Sequence, residues 1–234
     1  AALVLAQNRY VADSLPPEAT VVVAPAPGLD TDTLHAAAHP GSGAAAPSDG
    51  GAHAPAASRR AVLSGRMHAW KGVLLAVATM AHAPAWQLDL YGSGPAVRPA
   101  QRLAGRLGVQ DRVTFHGSRP RDEVLRATAA ADALLLPSIH DSAPWAAAEA
   151  VSLGTPVVCL ESGGTPGVAR VPEGGRAVPV GRHADAALAA ALDDLPALEP
   201  VDWWRADRLP DQVATLYEQA LTGEPAIVRA GGAS

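Results

Sequence analysis

Short apolar runs set the rhythm of this chain. Ala133–Leu136 (Ala-Leu-Leu-Leu) and Val157–Leu160 (Val-Val-Cys-Leu) are blocks without a polar position. Runs this short, bounded by Pro and turn residues, predict strands buried on both faces. Ala61–Leu63, Leu88–Tyr91 and Val113–Phe115 predict three more strands, and Ala177–Val180 a sixth. Helix patterns lie between them: Val73–His82, Val97–Leu107 with Gly108 as its cap, Arg121–Ala130, Trp145–Leu153 ended by Gly154, and Asp185–Leu195. Regular alternation of strand and helix predicts an α/β fold with a doubly wound parallel sheet. A glycine-rich turn is expected at Gly163–Gly167.

The flanks are less regular. Ala1–Ala6 is apolar, and Val11–Leu15 predicts a short helix stopped by Pro16-Pro17. Thr20–Ala24 predicts a β-branched strand before a turn at Pro25–Asp30. Residues 36–60 are rich in Ala, Gly, Pro and Ser. They bury too little to fold alone and predict a mobile linker. His39 and His53 within it are expected to be solvated. Beyond 195, Pro196–Pro200 links to a helical region at Trp203–Leu221 with a break expected at Pro210. Residues 222–234 should fray.

Composition narrows the function classes. Of 234 residues, 48% are hydrophobic, enough for a core, and 4% are aromatic. Abundant Ala, Gly and Pro read as a high-GC bacterial coding bias. A net charge of −5 supplies no global field for nucleic acid or an anionic membrane. No apolar run reaches the length that spans a bilayer, and no secretory leader is recognisable. The one cysteine, Cys159, lies in a predicted buried strand without a disulfide partner. A cytoplasmic setting is expected. The sequence opens inside an element, as a fragment of a longer chain would.

Candidate chemistry collects in the loops after the strands, where open α/β sheets bind ligands. Arg66 and Lys71 share one such loop. Together they would neutralise a diphosphate and stabilise charge on it as it leaves; as solvated loop cations they need no ligand. Asp141 precedes the helix at Trp145, and Glu149 lies within it. The helix start around Ser142, Ala143 and Pro144 offers unpaired N–H groups and the positive end of the dipole, which suit an anion. Separated by that much helix, the two carboxylates cannot share a proton, but they can reach two ends of one elongated ligand. Spacing alone favours an ordinary turn residue and a solvated helix residue.

Other chemistries fit less well. Gly92-Ser93-Gly94-Pro95 follows a strand, but Val97 stands where a dinucleotide fingerprint needs its third glycine, and His116 where it needs an acid. Ser138, His140 and Asp141 are neighbours on one turn without a nucleophile elbow, which argues against a hydrolase. The histidines show no zinc-ligand spacing, so no metal is expected. Trp145 is expected in the core or in a cleft wall.

Separated motifs resemble the retaining glycosyltransferases of family 4. Asp141-x7-Glu149, then Ala150-Val151-Ser152-Leu153-Gly154-Thr155-Pro156-Val157-Val158, matches that family's acid-x7-Glu signature in spacing. Gly65-Arg66 with Lys71-Gly72 is similar to its Gly-Arg-x4-Lys-Gly pattern, and Gly92-Ser93-Gly94-Pro95 to its Gly-x-Gly-Pro turn. Pro27-Gly28-Leu29-Asp30 stands where the family has its interdomain crossover. The resemblance implies the Rossmann-like, C-terminal half of a GT-B glycosyltransferase. Residues 1–35 would be a remnant of the crossover, 36–60 the linker, 61–195 the donor-binding domain, and 196–234 a helical region and tail.

The same resemblance implies sugar transfer with retention from a nucleotide-diphosphate sugar, without a metal cofactor. Arg66 and Lys71 would hold the diphosphate and Asp141 the sugar, these three being the catalytic set. Glu149 would hold the ribose, and Ser118 and Arg119 would lie against the base. Gly65, Gly92, Gly94 and the backbone at Ser142, Ala143 and Pro144 would shape the donor pocket. Three residues depart from the family: Asp141 replaces its usual Glu, Ser142-Ala143-Pro144 replaces a Gly-Phe run, and Gly167 stands where Glu is usual. The acceptor, a glycan, lipid or small molecule, would meet an N-terminal domain for which these residues leave no room. Any peripheral membrane contact would come through that domain. The alternative is a nucleotide-sugar-binding module that does not catalyse, or an inactive remnant.

Overall fold

The structure, a computed structural model, describes residues 3–6, 15–16, 20–23, 28–39, 58–141, 144–169, 173–201, 205–211, 214, 215 and 218. Strands β1 (Leu3–Ala6) and β2 (Thr20–Val23) pair in parallel as a separate two-stranded sheet. The main sheet has six strands: β3 (Arg59–Ser64), β4 (Trp86–Tyr91), β5 (Val113–Gly117), β6 (Ala133–Leu136), β7 (Val157–Leu160) and β8 (Gly175–Val178). Every pairing is parallel, in the order β5-β4-β3-β6-β7-β8. The helices are α1 (Thr31–Ala38), α2 (Val73–Thr79), α3 (Val97–Leu107), α4 (Arg121–Ala129), α5 (Trp145–Ser152), α6 (Thr165–Ala169) and α7 (Ala184–Asp193).

Strand geometry sends alternate residues to opposite faces, and both faces are covered. Ala61, Leu63, Ala133 and Leu135 enter a core closed by α2, α3 and α7. Val62, Leu134 and Leu136 enter a second core against α5. Every residue of β6 is therefore buried, which is why its sequence shows no alternation. Each fully buried leucine contributes roughly 1.5–3 kcal/mol. Ala147, Ala148 and Ala150, with Val151 and Ser152, form the buried face of α5. Cys159 lies in the second core, and burial pushes its thiol up to about 12. It is thus a packing residue rather than a thiolate.

The chain winds from β3 outward to β5, and α4 then carries it back to the other side of β3. There β6 pairs with β3 over a short register, Ala61↔Ala133 and Val62↔Leu134. Asp132 clamps the lower end of this seam. Its N–H donates to the Arg60 carbonyl (2.9 Å), and its Oδ2 accepts from the Arg60 N–H (2.7 Å). Above the seam the connections leave β3 toward β4 and β6 toward β7, in opposite directions, which opens a crevice at the carboxyl edge.

Several boundaries differ from those expected. Helix α1 runs to Ala38, three residues into the expected linker. Asp30 caps it by accepting from the Thr33 N–H (3.0 Å), and Leu34 and Ala38 pack on Leu125 and Leu153. Strand β3 starts at Arg59, two residues before its expected start, and β5 extends through His116 to Gly117, two residues past its expected end. The last strand ends at Val178, leaving Val180 60% exposed. The second half of the expected glycine-rich turn is helix α6. Leu209, Pro210 and Asp211 are helical directly after the 3-10 turn Ala206–Arg208, so Pro210 lies in a first turn, where no N–H is needed. The expected helix at 11–15 lies outside the described residues apart from Leu15, as do His53 and Trp203. Among the described residues no helix is long and apolar enough to cross a membrane.

Candidate functional site: a crevice at the carboxyl edge of the sheet

The loop after β3 is laced to the loop after β4. Gly65 N–H donates to the Tyr91 carbonyl, Met67 N–H to the Ser93 carbonyl, and Ala96 N–H to the Met67 carbonyl, each at 2.9 Å. This contact explains Gly92 and Gly94. A Cβ on Gly92 would lie 1.8 Å from the Gly65 oxygen, and one on Gly94 2.4 Å from the Met67 oxygen. Met67 is buried and anchors the loop, while Arg66 is exposed. The Arg66 side chain makes no hydrogen bond or ion pair with any described residue.

The same loop is tied to the loop after β6. Ala69–Lys71 form a single 3-10 turn, and the Trp70 carbonyl accepts from Ile139 N–H (2.9 Å). Lys71 Nζ donates to Asp141 Oδ2, with both side chains mostly buried (15% and 11% exposed). The Lys71 ammonium also stands 5.0 Å over the Trp70 ring. A third loop supports Asp141 from behind. Gly164 N–H donates to its carbonyl (2.6 Å), and Ser162 Oγ to the Ile139 carbonyl (2.7 Å).

Strand β5 supplies the remaining wall. Gly92 N–H donates to the Gly117 carbonyl (2.7 Å), Ser118 Oγ to Ser93 Oγ (3.0 Å), and Arg119 Nε to the His116 carbonyl (3.1 Å). Gly65, Arg66, Gly92, Ser118 and Arg119 thereby line one cleft of about 300 Å³, with Ser64, Tyr91, Ser93 and Val124. Lys71, Asp141 and Glu149 lie outside that lining. Arg66, Gly92, Ser118 and Asp141 follow the carboxyl ends of β3, β4, β5 and β6, so one edge of the sheet carries all four.

The profile of the family "Glycosyl transferases group 1" matches residues 53–201. The chain belongs to that family. Two bacterial relatives are similar over part of its length. D-inositol 3-phosphate glycosyltransferase of Mycolicibacterium gilvum is 38% identical over 104 residues, 44% of this chain and 23% of that protein. 2-Deoxystreptamine glucosyltransferase of Streptomyces kanamyceticus is 34% identical over 96 residues, 41% of this chain and 25% of that protein. The matched stretches span between 15% and 34% of the length of these and similar curated relatives. In fold it is similar to Anabaena Alr3699/HepE, crystallised in complex with UDP, at 18% identity and a TM-score of 0.60, over 95% of this chain and 63% of that one.

In this group 1 glycosyltransferase chain, Glu149 is not the solvated helix residue that spacing favoured. Its side chain is 17% exposed, and its Oε1 accepts from Arg121 Nη2 (2.5 Å). Pro144 is buried at the start of α5, and Trp145, beside it, is 50% exposed, which excludes it from the core. Ser142 and Ala143 lie outside the described residues. Ser138 Oγ is buried without a partner, so it makes no hydrogen bond to His140. That removes the geometric basis for a Ser-His-Asp triad.

Beneath the cleft lies a network that sequence reasoning missed. Tyr91 stacks on His116 (centroids 4.3 Å apart, 4° between planes). His116 Nε2 bonds Asp89 Oδ1 (2.7 Å), and buried Asp89 also accepts from Arg60 Nε (3.1 Å) and Nη2 (2.8 Å). Burial, reinforced by the Asp89 charge, raises the Tyr91 hydroxyl above its ordinary pKa. Tyr91 thus presents a neutral phenol to the cleft at physiological pH. No local pattern marks this network, because its members come from three strands.

Proposed function

We propose that this chain is the donor-binding, C-terminal half of a retaining family 4 glycosyltransferase of GT-B fold, and that the crevice takes a nucleotide-diphosphate sugar. One observation carries the reading: Lys71 and Asp141, 70 residues apart in the chain, are bonded to each other on the sheet edge that also carries exposed Arg66. In the proposed complex the diphosphate draws the Lys71 ammonium from Asp141 and takes Arg66 as a second cation. Freed, Asp141 accepts a hydroxyl of the sugar. Glu149 takes the ribose, and the start of α5 turns its positive end toward the phosphates.

The sugar C1–O bond to the diphosphate then breaks as the acceptor oxygen bonds C1 on the same face. The acceptor proton passes to the departing phosphate oxygen, and the cations stabilise the charge that develops there. We assign the acceptor site to residues outside these 234. UDP is the first nucleotide to test, because the HepE structure contains it.

Calorimetry with nucleoside and nucleoside diphosphate on the wild type, Arg66→Ala and Lys71→Ala tests the proposal. Loss of one charge-assisted contact should weaken the diphosphate by about ten- to a hundredfold and leave the nucleoside unchanged. Equal losses for both ligands would mean that the fold is disturbed. No loss for either would return both residues to solvated loop cations.

A further inference from the structure

Helix α4 begins with a residue of the wrong charge for its position. Arg121 is its first residue, where the helix dipole disfavours a cation. The acids of the first turn do not offset it, because each is engaged elsewhere. Asp122 pairs with Arg126 (2.8 Å), and Glu123 lies 3.6 Å from Arg119. Arg121 instead reaches across to α5 and donates through Nη2 to Glu149 Oε1. The bond engages only Oε1, and Glu149 Oε2 makes no hydrogen bond to any described residue. Arg121 also stands between two residues of the cleft lining, Arg119 and Val124, and is 59% exposed.

We propose that Arg121 is a positioning residue for Glu149: it fixes one carboxylate oxygen so that the other meets the ribose of the nucleotide. This rests on the reading of Glu149 as the ribose ligand. A planar guanidinium restrains both the direction and the distance of the carboxylate it holds, which an ammonium does not. A side chain that acts only as a surface ion pair would change stability slightly and would not distinguish one nucleotide from another.

The test compares UDP, ADP and GDP with their 2′,3′-dideoxy counterparts by calorimetry on the wild type, Arg121→Ala, Arg121→Lys and Glu149→Gln. Thermal midpoints are recorded for each variant to confirm that it folds. The wild type should prefer the ribose form, and Glu149→Gln should abolish that preference. Arg121→Ala should weaken the ribose form about tenfold, the size of one lost hydrogen bond to a charged group, and leave the dideoxy form unchanged. Arg121→Lys should recover part of the loss. Equal losses on both forms, or none on either, would overturn the positioning role. If Glu149→Gln abolishes the preference while Arg121→Ala retains it, the inference about Arg121 fails alone. If Glu149→Gln leaves the preference intact, the ribose reading fails and the inference falls with it.

Discussion

Lys71 and Asp141 neutralise each other in a partly buried setting, and a ligand must compete with that pair. A diphosphate offers Lys71 more charge than Asp141 does, but breaking the existing bond has a cost. Asp141→Asn removes the competitor. The substitution should tighten binding of a nucleoside diphosphate by roughly fivefold, equivalent to about 1 kcal/mol for a partly screened pair. It should also reduce whatever affinity the sugar adds over the bare diphosphate, since a neutral amide with one acceptor oxygen replaces a charged carboxylate with two. Titration of Asp141→Asn with a nucleoside diphosphate and with its sugar measures both effects. A weaker diphosphate would show that Asp141 orients Lys71 rather than competing with the ligand for it. Arg66 and Lys71 were legible because one loop holds both. The Lys71–Asp141 bond was not, because only the sheet order brings their loops together.

Two glycines show how much an element's surroundings decide. Gly105 sits inside α3 with nothing within 4 Å of an added Cβ. Gly105→Ala should stabilise the fold by about 0.5–1 kcal/mol, through helix propensity and the smaller entropy of the unfolded chain. Gly92 has φ +139°, and a Cβ there meets backbone oxygen at 1.8 Å. Gly92→Ala must push the Arg66 loop away, so nucleotide affinity should fall together with the thermal midpoint. Calorimetry and thermal melts on both variants check the opposite signs; a Gly92→Ala protein with unchanged affinity would uncouple the two loops.

Burial on both faces made β6 and β7 readable to the residue, because such strands must be apolar throughout. Helix α1 was hidden for the converse reason. Its buried residues are few, and the Asp30 cap stands beside a low-complexity stretch. The Asp89–His116–Tyr91 network and the Arg121–Glu149 pair were illegible because each joins elements about 27 residues apart with no periodic signal.

At the scale of the whole molecule, the reversal of winding at β3 and β6 places the crevice over the shortest register of the sheet. Arg60 and Asp132, which clamp it, are 72 residues apart. Closing so long a loop costs entropy before any contact offsets it, whereas β3-β4-β5 and β6-β7-β8 can each assemble from nearer neighbours. The seam is therefore expected to form late in folding and to open first in native-state fluctuations. A nucleotide that reaches from Arg66 and Lys71 on one side to the start of α5 on the other would act as a stitch across that joint. Its effect should appear in hydrogen exchange: the Asp132 amide, which donates across the seam, should exchange more slowly in proportion to ligand occupancy. The donor would then do more than supply a sugar, because its arrival and departure would set how long the two halves of the sheet stay joined.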